Sequence, residues 1–237
     1  MAVDYRTLER QLCEDLQLNR RPVAIAFLDA LPSGAAAFGG TVPSSCSFWR
    51  LASDGEILYT LPDNHHNCPI GAYTHNITIP PDRARELDDA LGLMSSIGYI
   101  RLEEVAGIPR LPKAPGAIVY APLGETPVDP DVVLFIGPPA SVMLLQEAAI
   151  RAGVSAQLNA LARPTCMVLP AALISGVTAS TGCAGNRVYT GIDESNLYVA
   201  VPGRDLARLA NEVHPIVAAN AAMRQYHEDR RSRLAAV

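Results

Sequence analysis

Three histidines and a cysteine fall within thirteen residues, NHHNCPIGAYTHN at 64–76, in a chain with only five of each. Imidazole nitrogen and thiolate sulfur bind borderline metals well, and a thiol beside an imidazole is also a simple nucleophile with its base. His65-x-x-Cys68 has workable metal spacing, with His75 seven residues beyond the cysteine. Adjacent His65 and His66 point to opposite sides of an extended segment, so at most one of them reaches a shared site.

A second stretch, TGCAGNRVYT at 181–190, echoes the first. The chain reads CPIGAYT from Cys68 and CAGNRVYT from Cys183, each cysteine preceding a Gly-containing turn and a Tyr-Thr pair. Each also has an earlier cysteine, Cys46 being 22 positions before Cys68 and Cys166 being 17 before Cys183. An apolar run lies upstream in both cases, RPVAIAF and DVVLFIG, and a proline-led amphipathic helix follows. This self-similarity predicts two related halves, about 20–100 and 115–214, in a single domain spanning 1–237 with a C-terminal helix at 215–237. The expected fold class is α+β, one globule of two pseudo-symmetric halves whose mixed sheets are flanked by helices. Cys46, Cys68, Cys166 and Cys183 then converge between the halves, while Cys13, which has no counterpart, stays outside.

Four thiolates fit tetrahedral zinc or an iron–sulfur cluster. No C-x-x-C occurs, which tells against a zinc knuckle, and clusters tolerate ligands from distant loops. Cys68-Pro69 resembles the Cys-Pro step of bacterial ferredoxins, and the glycines of CPIG and TGCAG let backbone amides approach sulfur. The leading expectation is a 4Fe–4S cluster on Cys46, Cys68, Cys166 and Cys183, serving electron transfer or cluster-assisted chemistry on a small molecule. Its enzymatic form is a redox enzyme or lyase in which three cysteines ligate, one iron is open, and His75 and Arg187 face the substrate. Zinc or a reactive thiol in a non-redox enzyme or sensor is the alternative. A third is a small-molecule-binding protein with structural cysteines. Arg187 and Arg50, each four residues after a cysteine, can place positive charge beside the thiols or hold an anion. Trp49 reads as core or pocket wall, and adjacent Asp193 and Glu194 do not make an acid/base pair.

Other chemistries lack support. Neither G-x-x-x-x-G-K-[ST] nor G-x-G-x-x-G is present, and neither is C-x-x-C-H. A net charge of -5 with 19 Lys and Arg argues against a nucleic-acid partner. No unbroken apolar run is long enough to span a membrane, and the charged start MAVDYRTLERQLCEDLQL does not read as an export signal. A cytoplasmic protein is expected, with a small-molecule substrate or a redox partner protein.

The elements that position these residues follow from periodicity. Leu8, Leu12 and Leu16 predict a helix over 5–18 capped by Asp4, and RPVAIAFL (21–28) predicts a buried strand. After a loop at 34–43, GEILYTL (55–61) alternates as a strand. PPDRARELDDALGLM (80–94) opens with prolines as a helix, with Ala84, Leu87, Leu91 and Met94 on one face. YIRLEEV, GAIVYAP, DVVLFIG and NLYVAVP read as strands, and ASVMLLQEAAIRAG (140–153) as a helix ended by Gly153. RDLARLANEV (204–213) begins a further helix, before a polar, partly exposed tail helix.

Taken in order, RPVAIAF, an isolated cysteine, NCPIGAYTH, PDVVLF, TGCAGNR and DESNLYVAVPG resemble the DUF169 family, an uncharacterised group of prokaryotic proteins. The likeness runs from about residue 5 to 213. It implies a prokaryotic protein with separated cysteines and lends no settled activity.

Overall fold

The computed structural model describes residues 3–155 and 159–235. Four short apolar segments form the centre of its sheet: β1 (Val23–Leu28), β4 (Ala117–Pro122), β5 (Val132–Gly137) and β8 (Leu197–Pro202). They are rich in Val and Ile and buried on both faces, as expected of strands covered by helices on each side. Shorter strands complete an eight-stranded mixed sheet: β2 (Ala36–Ala37), β3 (Leu58–Thr60), β6 (Asn159–Leu161) and β7 (Thr178–Ser180). The strand order is β2-β3-β4-β1-β5-β8-β7-β6. The fold is therefore α+β, with strands from both parts of the chain in one sheet.

Alternating side chains build two cores. On one face Ala24, Val133, Phe135 and Val201 meet α1 (Tyr5–Leu16), α5 (Pro139–Arg151) and α8 (Gly203–Ala235) through Leu12, Leu145 and Leu209. Asp4 caps α1, its carboxylate accepting from the Thr7 amide at 3.1 Å. On the other face Ile25, Tyr120, Leu134 and Tyr198 meet α2 (Cys46–Ser53) and α6 (Val168–Ser175) through Phe48, Trp49 and Leu169. Each such side chain, fully enclosed, contributes about 1.5–3 kcal/mol relative to exposure. The short helices α3 (Pro69–Thr74) and α7 (Ala184–Thr190) lie on this second face, followed in the first case by α4 (Pro81–Ser96).

Outward from β1 the strands run β4, β3, β2, and outward from β5 they run β8, β7, β6. β1 and β5 are antiparallel neighbours at the middle. The helices interleave in corresponding places, α2 then α3 in the first part and α6 then α7 in the second.

Two segments depart from expectation. YIRLEEV is not a strand: Leu102–Gly107 form a 3-10 turn held by an Arg101–Glu104 ion pair at 2.9 Å. Both edges of β4, the next strand in the chain, are already taken by β3 and β1, so the segment cannot pair there. The C-terminal region is one helix through Pro215 rather than two. Pro215 and Asn211, whose carbonyl loses its helical donor, both face solvent, where water satisfies that carbonyl. Residues 221–235 are exposed throughout, and among the described residues no helix is long and apolar enough to cross a membrane.

Candidate functional site

Four cysteines reach one cavity from four short elements. Cys46 is the first residue of α2, and Cys166 sits in the 3-10 turn Thr165–Met167 that leads into α6. Cys68 and Cys183 each immediately precede a helix, α3 and α7 respectively. All four line a cavity of about 580 Å³ on the second face of the sheet. Gly71 allows the start of α2 to touch α3, because a methyl group there would fall 2.8 Å from Cys68 Sγ and collide with the Ser45 hydroxyl. The Cys183 amide donates to Thr165 Oγ1 at 2.7 Å, which ties α7 to the turn carrying Cys166.

The thiols are not equivalent. Cys46 and Cys166 are 5% and 4% exposed, and burial pushes both thiols well above the ordinary cysteine range, with neighbouring cysteines adding to the effect. They remain protonated at neutral pH. The Cys166 thiol lies 3.9 Å from the Ile70 carbonyl oxygen, its acceptor. Cys68 and Cys183 are partly exposed, and all five cysteines are free thiols. Cys13 lies on α1, on the opposite face of the sheet, with its thiol pushed up to about 11 chiefly by burial.

Two histidines are sealed beneath this layer. His65 is bonded at both nitrogens, to Ser45 Oγ at 2.9 Å and to Thr60 Oγ1 at 2.8 Å. His75 is 0% exposed, and its Nδ1–H donates to the Gly71 carbonyl at 2.7 Å. The two rings are 5.4 Å apart, and burial lowers both pKa values, that of His75 to about 4. Neither histidine lines the cavity. Arg187 is likewise turned to structure, donating to the carbonyls of Asp193, Thr181 and Asn196 at 2.9, 2.7 and 2.6 Å. Arg50 donates to the Thr190 carbonyl at 2.7 Å and so links α2 to α7. Trp49 is fully buried in the core.

Apolar groups line the same cavity, among them Leu87, Leu91 and Met94 of α4. At the rim the Arg163 guanidinium stacks 4.7 Å over the Tyr99 ring. The helical stripe on α4 was visible in the sequence, but the cavity behind it was not. Sequence reasoning also missed Tyr120 and Asn186, buried beside the thiols, whose motifs mark them only as a strand residue and a turn residue.

The iron–sulfur expectation is corrected by this geometry. Among the described residues no three His, Cys, Asp or Glu side chains are grouped to hold a metal ion. The four sulfurs share the walls of a cavity rather than one coordination sphere. The donor set therefore does not fit a 4Fe–4S cluster, and electron transfer or cluster-assisted chemistry through one loses its basis.

Fold and site define an α+β protein with a thiol-lined internal cavity. The family model DUF169, described as uncharacterised ArCR, matches residues 11–212, and the chain belongs to that family. It is similar to the uncharacterized protein MJ0308 of Methanocaldococcus jannaschii, 29% identical over 166 residues, which cover 66% of this chain and 69% of that protein. No solved structure matches the chain.

Proposed function

We propose that the protein binds a small, largely apolar organic molecule in the thiol-lined cavity. The observation that carries this reading is α4, a sixteen-residue helix with an apolar stripe but no buried residue. A helix in a closed core buries such a stripe; here Leu87, Leu91 and Met94 face a cavity whose size of about 580 Å³ suits a small ligand. A ligand in that space completes their burial. Cys46 and Cys166 supply neutral, polarizable contacts on the far side rather than nucleophiles. Five free thiols suit a reducing compartment, in keeping with a cytoplasmic protein.

The test is binding of the apolar fluorophore 1-anilinonaphthalene-8-sulfonate to the native protein and to Leu91→Glu. Leu91 is only partly buried, so the variant should fold with its melting temperature nearly unchanged. It should lose most of the stoichiometric fluorescence enhancement, because a carboxylate now stands in the apolar wall. Equal enhancement by both proteins would place the dye elsewhere and sink the reading.

A further inference from the structure

We infer that Arg163 makes the mouth of the cavity a carboxylate site, so that the bound molecule is an amphipathic acid with its hydrocarbon body inside and its carboxylate at the rim. This rests on the binding role proposed above and names the chemical class of its ligand.

Among the described residues three charged side chains line the cavity, Glu86, Glu104 and Arg163. Each acid is already held by the arginine three residues before it: Glu86 accepts from Arg83 at 2.7 Å, and Glu104 from Arg101 at 2.9 Å. Arg163 differs. It has no carboxylate within ion-pair distance and no hydrogen bond among the described residues, and its guanidinium lies 4.7 Å over the Tyr99 ring. Its charge is only a minor influence on Glu104, whose carboxyl is held down chiefly by its hydrogen bonds with Arg101. Every residue from 162 to 166 lines the cavity, and within that run the wall passes from exposed Arg163 to Cys166, which is 4% exposed. Tyr99 lies just beyond the end of α4 and lines the cavity too. The stacked pair therefore ties the α4 segment to the segment carrying Cys166 at the open end of the space.

Stacking uses one face of the guanidinium and leaves its N–H donors, which lie in the plane of the group, free for an acceptor. That planar fork matches a carboxylate, which it can hold by two parallel hydrogen bonds. Charge narrows the head group further. A cationic head would face Arg163 and find both glutamates already paired. A doubly charged phosphate would exceed the one unpaired cation and stand beside Glu86 and Glu104. A single carboxylate balances Arg163. It also has to stay at the rim, because no other cation among the described residues lines the cavity, and an unpaired charge at the depth of Cys46 and Cys166 would be costly. The exposed guanidinium and the apolar stripe of α4 thus suit the two ends of one molecule.

Three probes with the same hydrocarbon chain test this: decanoate, decanol and decyltrimethylammonium. Dissociation constants are read directly by isothermal titration calorimetry, at neutral pH and low salt, for wild type and Arg163→Gln. The ratio of decanoate to decanol affinity should fall about fivefold in the variant, with decanol's affinity unchanged, as the loss of one partly exposed ion pair allows. Raising the salt concentration should shrink that difference between the two proteins. Arg163 is exposed and without an ion pair, so the variant should fold and melt as wild type does. An undiminished ratio in Arg163→Gln, or tighter binding of decyltrimethylammonium than of decanoate to wild type, overturns the carboxylate site and leaves the binding role standing. If neither decanoate nor decanol binds wild type, the binding role itself fails.

Discussion

Acidification should destabilise this protein through its buried histidines, whose pKa values burial lowers. His75 keeps one proton on Nδ1 for the Gly71 carbonyl, and a second proton on Nε2 would meet no acceptor among the described residues in a fully buried site. Burial therefore lowers its pKa from 6.5 to about 4, against the smaller opposing effect of the Gly71 hydrogen bond. The sign follows. Above 6.5 neither state binds the extra proton, so stability is at its full value. Between 6.5 and about 4 the unfolded chain takes the proton and the folded one refuses it, so stability falls as pH falls. At about 1.4 kcal/mol per pKa unit, His75 alone removes about 2 kcal/mol between about pH 7.5 and about pH 5. His65, also lowered by burial and by the neighbouring imidazoles, adds a loss of the same sign. The exposed carboxylates whose pKa values are lowered, on Asp4, Glu104 and Asp193, act only below this window.

Urea unfolding followed by fluorescence of Trp49, the only tryptophan and fully buried, gives stability at each pH. His75→Asn keeps an amide near the Gly71 carbonyl and cannot take up the second proton. The variant should lose about 2 kcal/mol less than wild type across that window, whatever its stability at neutral pH. Identical pH slopes for the two proteins would mean that His75 titrates as it does in the unfolded chain, and the account of its burial would be wrong.

Further outcomes follow from other parts of the molecule. Gly71→Ala should cost about 2–3 kcal/mol in urea unfolding, because the added methyl collides with Ser45 and Cys68 between two helix starts; a cost near zero would show that these helices can separate. Under native conditions at neutral pH, Cys68 and Cys183 should react with a disulfide reagent well before Cys46 and Cys166, as mass mapping of labelled peptides would reveal. Fast labelling of Cys46 would contradict its enclosure. Deleting residues 221–237 should leave the melting temperature within a degree or two, since 221–235 are exposed and the last residues of α8 packed on the core are Ile216 and Val217.

How much of this was legible depends on length and on reach. β1, β4, β5 and β8 show themselves because runs such as VAIAFL and VVLFIG have no other stable use than a doubly covered strand. α1 and α4 announce their periods over twelve and sixteen residues. α2, α3 and α7 run eight, six and seven residues, two turns or so, over which a 3.6-residue period cannot declare itself. Yet three of the four thiols stand at the starts of these helices. YIRLEEV shows the converse error, since strand formation also needs a partner and the next strand in the chain, β4, is paired on both edges. His75 could be picked out by residue type, but its enclosure behind Gly71 is a fact of packing.

The strand connectivity explains why four separated cysteines share a wall without forming a coordination sphere. Cys46 and Cys166 begin or precede the first second-face helix of their respective parts, and Cys68 and Cys183 precede the next. Helix α2 packs on α7, and α3 packs on the turn carrying Cys166, so each part's first cysteine meets the other part's second helix. That crossing brings the thiols to one place. What the second part lacks is a counterpart of α4, because α7 leads directly to β8 whereas α3 is followed by sixteen helical residues before β4. The extra helix contributes apolar side chains to the cavity that the thiols line. The cavity is thus lined by sulfur from four short elements and by hydrocarbon from α4. If α4 is the element that turns the thiol wall into a binding site, replacing 81–96 by a short Gly-Ser linker should abolish dye binding. The doubly covered sheet and its two cores, to which α4 contributes no buried residue, should remain folded. Loss of cooperative unfolding in that variant would show that α4 supports the core, and would remove the argument that its apolar stripe is reserved for a ligand.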